Sequence, residues 1–100
     1  MTIYKCYSIE LGFTETSNYS AINNLTLHNE SGPAYIEYIN NIKYTEGYFK
    51  EGILHRLGGP AVIQYTKDGG ISSVEYYING RFYSKTKYEN TLLQLKLSLL

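Results

Sequence analysis

One hundred residues carry nine Lys and Arg against nine Asp and Glu, so the formal net charge at pH 7 is zero. That length sets one domain with a thin core. The charge balance, with no basic run, excludes a nucleic-acid or membrane surface held by bulk charge. Cys6 is the only cysteine, which rules out an internal disulfide and suits a reducing compartment. The first residues lack the charged-then-apolar order of a signal peptide, and no apolar run is long enough to span a bilayer. A cytoplasmic location is expected, in the host cytoplasm if a phage encodes the chain. Twelve Tyr and no Trp favour strands and contact surfaces, because Tyr joins apolar area to a polar tip.

Thr2 to Leu11 reads as a strand, with Ile3, Tyr7 and Ile9 on one face, and Gly12 ends it. Thr14 to Asn24 is rich in Thr, Ser and Asn and reads as a loop. Asn24 to Leu27 begins a short strand. Gly32-Pro33 breaks regular structure. Ala34 to Ile39 is a strand, Asn40-Asn41 a two-residue hairpin turn, and Ile42 to Phe49 the returning strand. Lys50-Glu51-Gly52 turns the chain again. The order then repeats: Ala61 to Thr66 a strand, Lys67 to Gly70 a turn, Ile71 to Ile78 the return, and Asn79-Gly80 a type I′ pair. Ser84 suits a helix N-cap. Tyr88, Leu92, Leu95 and Leu99 fall at helical spacing, so Lys85 to about Leu97 is predicted as an amphipathic helix that buries this stripe on the sheet. Leu93, Leu95, Leu97 and Leu99 also alternate with polar residues, which is a strand pattern and the competing reading.

The second half of the chain copies the first. Leu27-His28, Gly32-Pro33-Ala34 and Tyr38 return as Leu54-His55, Gly59-Pro60-Ala61 and Tyr65, each 27 residues on. A fixed period of this size marks a repeat architecture. Arg81-Phe82-Tyr83 starts a third copy that stops at Ser84. The fold predicted is mainly β, an antiparallel meander of repeated β-hairpins with one C-terminal α-helix. It forms a single domain, 1–100: an N-terminal strand and loop (1–24), two and a half hairpin repeats (25–83) and the helix segment (84–100). The helix would seal one end of the stack and the N-terminal strand the other.

Tyr48-Phe49-Lys50-Glu51-Gly52-Ile53-Leu54-His55 followed by Gly59-Pro60-Ala61 resembles the MORN-like repeat. The variant it is most similar to carries Asn-Gly-x-x-His-Arg-x-x-Gly-Pro-Ala, and Tyr76 to Gly80 looks like the unit beginning again. The resemblance covers about Leu25 to Tyr83. It implies hairpins laid side by side in a twisted antiparallel sheet. It also implies a binding or scaffolding role of the kind found in bacterial antitoxin or immunity-type proteins and in phage and giant-virus proteins.

His28 and His55 recur without a carboxylate or Cys beside both, so each is expected to cap its Gly-Pro turn rather than to bind a metal. No metal, no cofactor and no catalytic residue is expected, and the chain is not expected to be an enzyme. Glu37, Glu46, Asp68 and Glu75 read as solvated charges, and Cys6 as a buried one. Alternation puts Ala34, Ile36 and Tyr38 on the core side with Ala61, Ile63 and Tyr65. It puts Tyr35, Phe49 and Tyr77 on the other face or beside it. These aromatics, with Arg56 and Arg81, are the candidate binding residues; cross-strand pairing within the sheet is the alternative use of the rings. The expected function is to bind and block a partner protein, as an antitoxin, immunity factor or phage counter-defence inhibitor does. The alternative is a structural or assembly component of a virus or scaffold, and self-association is compatible with either.

Overall fold

The computed structural model describes residues 1–100. Nine strands and one helix follow in order: β1 Thr2–Ser8, β2 Gly12–Thr16, β3 Tyr35–Ile39, β4 Ile42–Gly47, β5 Phe49–Lys50, β6 Ile53–Leu54, β7 Val62–Tyr65, β8 Ile71–Ile78, β9 Arg81–Tyr83 and α1 Lys85–Leu97. Seven strands form an antiparallel sheet in the order β2-β1-β3-β4-β7-β8-β9, while β5 and β6 pair as a separate hairpin. The fold is thus mainly β with one C-terminal helix.

Cross-strand pairing assigns the two faces, since residues directly opposite share a face. Lys5, Ile36, Glu46, Ile63 and Val74 form one row across five strands. Cys6, Tyr35, Gly47, Val62 and Glu75 form the next row, on the opposite face. The predicted alternation of Ile36 and Ile63 against Tyr35 therefore holds. Tyr4 packs on Tyr35 and on Tyr19, so a 3-10 turn at Tyr19–Ala21 covers part of the second face, with Ile22 buried beside it.

Three boundaries differ from the sequence reading. The chain turns back at Gly12, which sits at φ +68°, and Gly12–Thr16 is a strand paired to β1 rather than loop. Thr14 and Thr16 are β-branched and tolerate an edge position. The long return strand is broken: Tyr48 leaves the ladder, and its N–H donates to the Ala61 carbonyl at 2.7 Å. Leu27 makes only an isolated bridge, to Ser8.

That bridge gives the first copy of the repeat a partner strand that the sequence hides. Ser8↔Leu27, Phe49↔Leu54 and Tyr77↔Phe82 are the same contact in three successive tiers. His28 N–H donates to Tyr7 as His55 N–H does to Tyr48. Tyr7 N–H donates to Ala34 as Tyr48 N–H does to Ala61. β1 is thus the return strand of a first tier whose two-residue turn has been replaced by residues 10–25, closed by the Ile9 N–H donating to the Thr26 carbonyl at 3.0 Å. The N-terminal strand is a repeat unit, not a foreign cap.

The C-terminal helix forms where predicted, and Ser84 caps it by accepting the Lys87 N–H at 3.3 Å. Its stripe is not buried as expected. Tyr88 is 2% exposed and Leu92 half-buried, but Leu95 is 42% and Leu99 85% exposed. The helix packs on β8 and β9, and within the stripe burial stops at Leu92. Only ten of the 100 residues are buried. With so little core, the turns and their hydrogen bonds must specify the stack.

Gly80 shows how tightly tiers meet. It sits at φ +81°, and a Cβ there would lie 2.9 Å from Ile53 Cγ2 of the preceding tier; Gly69, at φ +91°, has open space around it. Both Gly→Ala changes should cost roughly 1–2 kcal/mol of left-handed strain. Gly80→Ala should add about 1–3 kcal/mol of overpacking. Thermal melts should show the larger loss at Gly80; equal losses would mean that tier contact contributes nothing.

Candidate functional site

In a two-residue type I′ turn, both central N–H groups point away from the hairpin and need outside partners. Glu51-Gly52 (φ 50° and 83°) and Asn79-Gly80 (φ 49° and 81°) are such turns. His28 Nδ1 accepts the Glu51 N–H at 2.9 Å, and the Leu27 carbonyl accepts the Gly52 N–H at 2.8 Å. One tier on, His55 Nδ1 accepts the Asn79 N–H at 2.9 Å and the Leu54 carbonyl accepts the Gly80 N–H at 2.8 Å. Each Leu-His pair is a clamp on the next turn. The histidines therefore do not cap their own Gly-Pro segments as expected. An unprotonated Nδ1 is an acceptor that Lys and Arg lack, and the ring reaches from an extended backbone across one tier.

The residue after each His holds the Gly-Pro loop instead. Asn29 Nδ2 donates to the Pro33 carbonyl at 3.0 Å, and Arg56 Nη1 to the Pro60 carbonyl at 3.1 Å. Arg56 also lies over the Tyr48 ring, 3.9 Å from its centroid. The second loop is sealed by the helix. The Tyr88 hydroxyl accepts the Gly59 N–H at 3.2 Å and stands 2.6 and 2.8 Å from the Arg56 and Gly59 carbonyls, donating to one at a time. Its ring packs on Tyr76 at 4.7 Å between centroids.

Between the two loops lies a groove of about 550 Å³. Tyr48 and Phe49 line it with Lys50; Glu30 and Ser31 come from the first loop, His55, Arg56 and Leu57 from the second. Leu57 is 48% exposed. The groove thus combines two aromatic rings, an exposed aliphatic side chain and charges of both signs. No group of three His, Cys, Asp or Glu side chains stands close enough together to hold a metal ion.

The five residues singled out from the sequence separate into three places. Phe49 and Arg56 line the groove. Tyr35 and Phe49 share a smaller hollow with Tyr19, Ile22, Leu25 and Leu27. Tyr35 is half-buried there, and burial, followed by the charge of Glu37, pushes its phenol well above the usual tyrosine range. Tyr77 packs on Phe82 at 5.6 Å, and with Arg81 it belongs to the last tier.

Glu46 is not solvated as the sequence leads one to expect: it is 8% exposed, takes a hydrogen bond from the Tyr65 hydroxyl and pairs with Lys43 at 3.4 Å. The bond to Glu46, then burial, pushes the Tyr65 phenol up to about 12. Lys43 also stands over the Tyr65 ring at 5.7 Å, as Lys5 stands over Tyr38 at 5.0 Å. Tyr38 and Tyr65 are matched repeat positions, but Lys5 and Lys43 are not: Lys5 lies opposite Ile36 and Lys43 opposite Tyr38, so matching the two halves of the sequence does not give this contact. Cys6 is fully buried as expected, and burial raises its thiol to about 11.

Comparison with known proteins finds no matching family, no matching curated protein and no matching solved structure. No helix is long and apolar enough to cross a membrane.

Burial, then the Lys50 ammonium, holds the His55 imidazole below its ordinary value. The unfolded chain therefore binds the His55 proton more readily than the folded one. The stability that the neutral ring contributes is complete above the ordinary value of about 6.5, and it is lost as pH falls through the lower folded value. Melting temperature should drop on acidification through this window, and His55→Ala should flatten that dependence while lowering stability at neutral pH by about 1–3 kcal/mol. An unchanged pH slope in the variant would contradict the clamp.

Proposed function

We propose that this chain is a non-enzymatic protein-binding module of the MORN-like repeat kind, which works in the cytoplasm by blocking a partner protein. An antitoxin, an immunity factor or a phage counter-defence inhibitor would act in this way. The groove between the Gly-Pro loops carries the reading. It is concave, sits between two rigidly bonded loops, and offers Tyr48, Phe49 and Leu57 with Glu30 and Lys50 beside them. Aromatic and aliphatic groups in a small hollow are what an interface anchor uses. The groups with chemical potential there are already engaged: His55 Nδ1 by the Asn79 N–H, Arg56 by Pro60 and Tyr48. The formal charge of zero gives little long-range steering, so affinity has to come from short-range burial.

The test uses Leu57, which is exposed and makes no hydrogen bond through its side chain. Leu57→Glu should leave the melting temperature unchanged. It should weaken capture of the cognate protein, recovered from native cells by affinity purification, by at least about 2 kcal/mol, roughly thirtyfold. Raising salt from low to physiological strength should change wild-type binding little. A Leu57→Glu protein that binds as wild type would remove the groove from the interface.

A further inference from the structure

The repeat stack has an unfilled end. In a two-residue hairpin the closing pair is bonded, and the next pair, here Tyr77↔Phe82, is not, so Phe82 turns its N–H and C=O away from β8. Tier by tier, Phe82 matches Leu27 and Leu54, whose carbonyls accept Gly52 and Gly80 from the following turn. After β9 no following turn exists. The Phe82 side chain is correspondingly 61% exposed, where Leu27 and Leu54 are half-buried. The same end carries α1, packed on β8 and β9, the last strands before the edge. Its residues Leu93 and Leu97 are 54% and 52% exposed.

We propose that a second copy of this chain covers this end, about a two-fold axis normal to the sheet. Such an axis sets β9 antiparallel to β9 of the partner copy. Phe82 can then exchange both of its free backbone bonds with its own symmetry mate, as self-complementary interfaces require. The same axis places the two helices on one face of the joined sheet, antiparallel to each other. The charges on α1 fit that arrangement. Glu89 and Lys96 are exposed and seven residues, or two helical turns, apart on one stripe with Leu93 between them. In an antiparallel pair centred between Leu92 and Leu93, Glu89 of each helix faces Lys96 of the other, with the leucines between them. A net charge of zero removes the long-range repulsion that keeps copies apart. A head-to-tail array is disfavoured by the first tier, whose turn is replaced by residues 10–25 and has no free pair of turn N–H groups to insert.

Sedimentation equilibrium on the full chain tests this. Wild type should be dimeric at roughly 100 µM, the range where even weak specific contacts register. Leu93→Glu with Leu97→Glu, and separately Glu89→Lys, should each raise the dimer dissociation constant at least about tenfold with unchanged circular dichroism, and Glu89→Lys with Lys96→Glu should restore it. A wild-type monomer at that concentration overturns the proposal, whether or not another protein is then found on this face. So does a dimer indifferent to both variants, or a charge swap that fails to rescue.

Discussion

A type I′ turn is the tightest way to reverse a strand, but it leaves two N–H groups facing outward with nothing in their own hairpin to bond. In this protein those two groups are where one repeat recognises the next. A carbonyl takes one and a histidine Nδ1 takes the other, twice over, at matched positions. An unmade bond of this kind costs about 1–3 kcal/mol. That is a large share for a domain with ten buried residues. The clamp also fixes where the Gly-Pro loops lie, because Asn29 and Arg56 follow directly on the clamping histidines and bond the loop carbonyls. The groove between the loops is therefore a product of the stacking geometry.

The first and last tiers of the stack depart from the pattern of the middle one. At the start, residues 10–25 replace the turn, and the Glu10 carboxylate accepts both the Thr26 N–H at 2.8 Å and its hydroxyl at 2.6 Å. These bonds, the hydroxyl one first, hold Glu10 below the usual carboxylate range. At the other end Tyr83 stands in the histidine position, with no turn to clamp. The helix then supplies Tyr88, whose hydroxyl bonds the second Gly-Pro loop from outside. Terminal units of stacked repeats are generally altered in this way.

The repeat, the turns and the helix start were legible because each is local. Asn79-Gly80, Ser84 and the recurring Gly-Pro-Ala say what the backbone does within a few residues of themselves. What was not legible depends on partners far away in the chain. Histidine at 28 and 55 reads as a cap on its own loop, yet its bond partners lie 23 and 24 residues on. Glu46 reads as solvated because its partner, Tyr65, is 19 residues distant. The first tier was invisible because Tyr7-Ser8 and Leu27-His28 are separated by an insertion longer than the turn it replaces. The helical stripe gives the period but not the burial, since a period says nothing of what lies beneath each turn: Tyr88 is buried and Leu95 and Leu99 are exposed.

The stacking of the tiers rests on histidines that accept rather than donate at Nδ1. Imidazole ¹⁵N chemical shifts, measured on labelled protein above pH 7, report the tautomer of each ring directly. Both His28 and His55 should be locked with the proton on Nε2 and a bare Nδ1, and the amides of Glu51 and Asn79 should be protected from exchange. Averaged tautomers, or a proton on Nδ1 of either ring, would contradict the clamp and with it the stacking of the repeats.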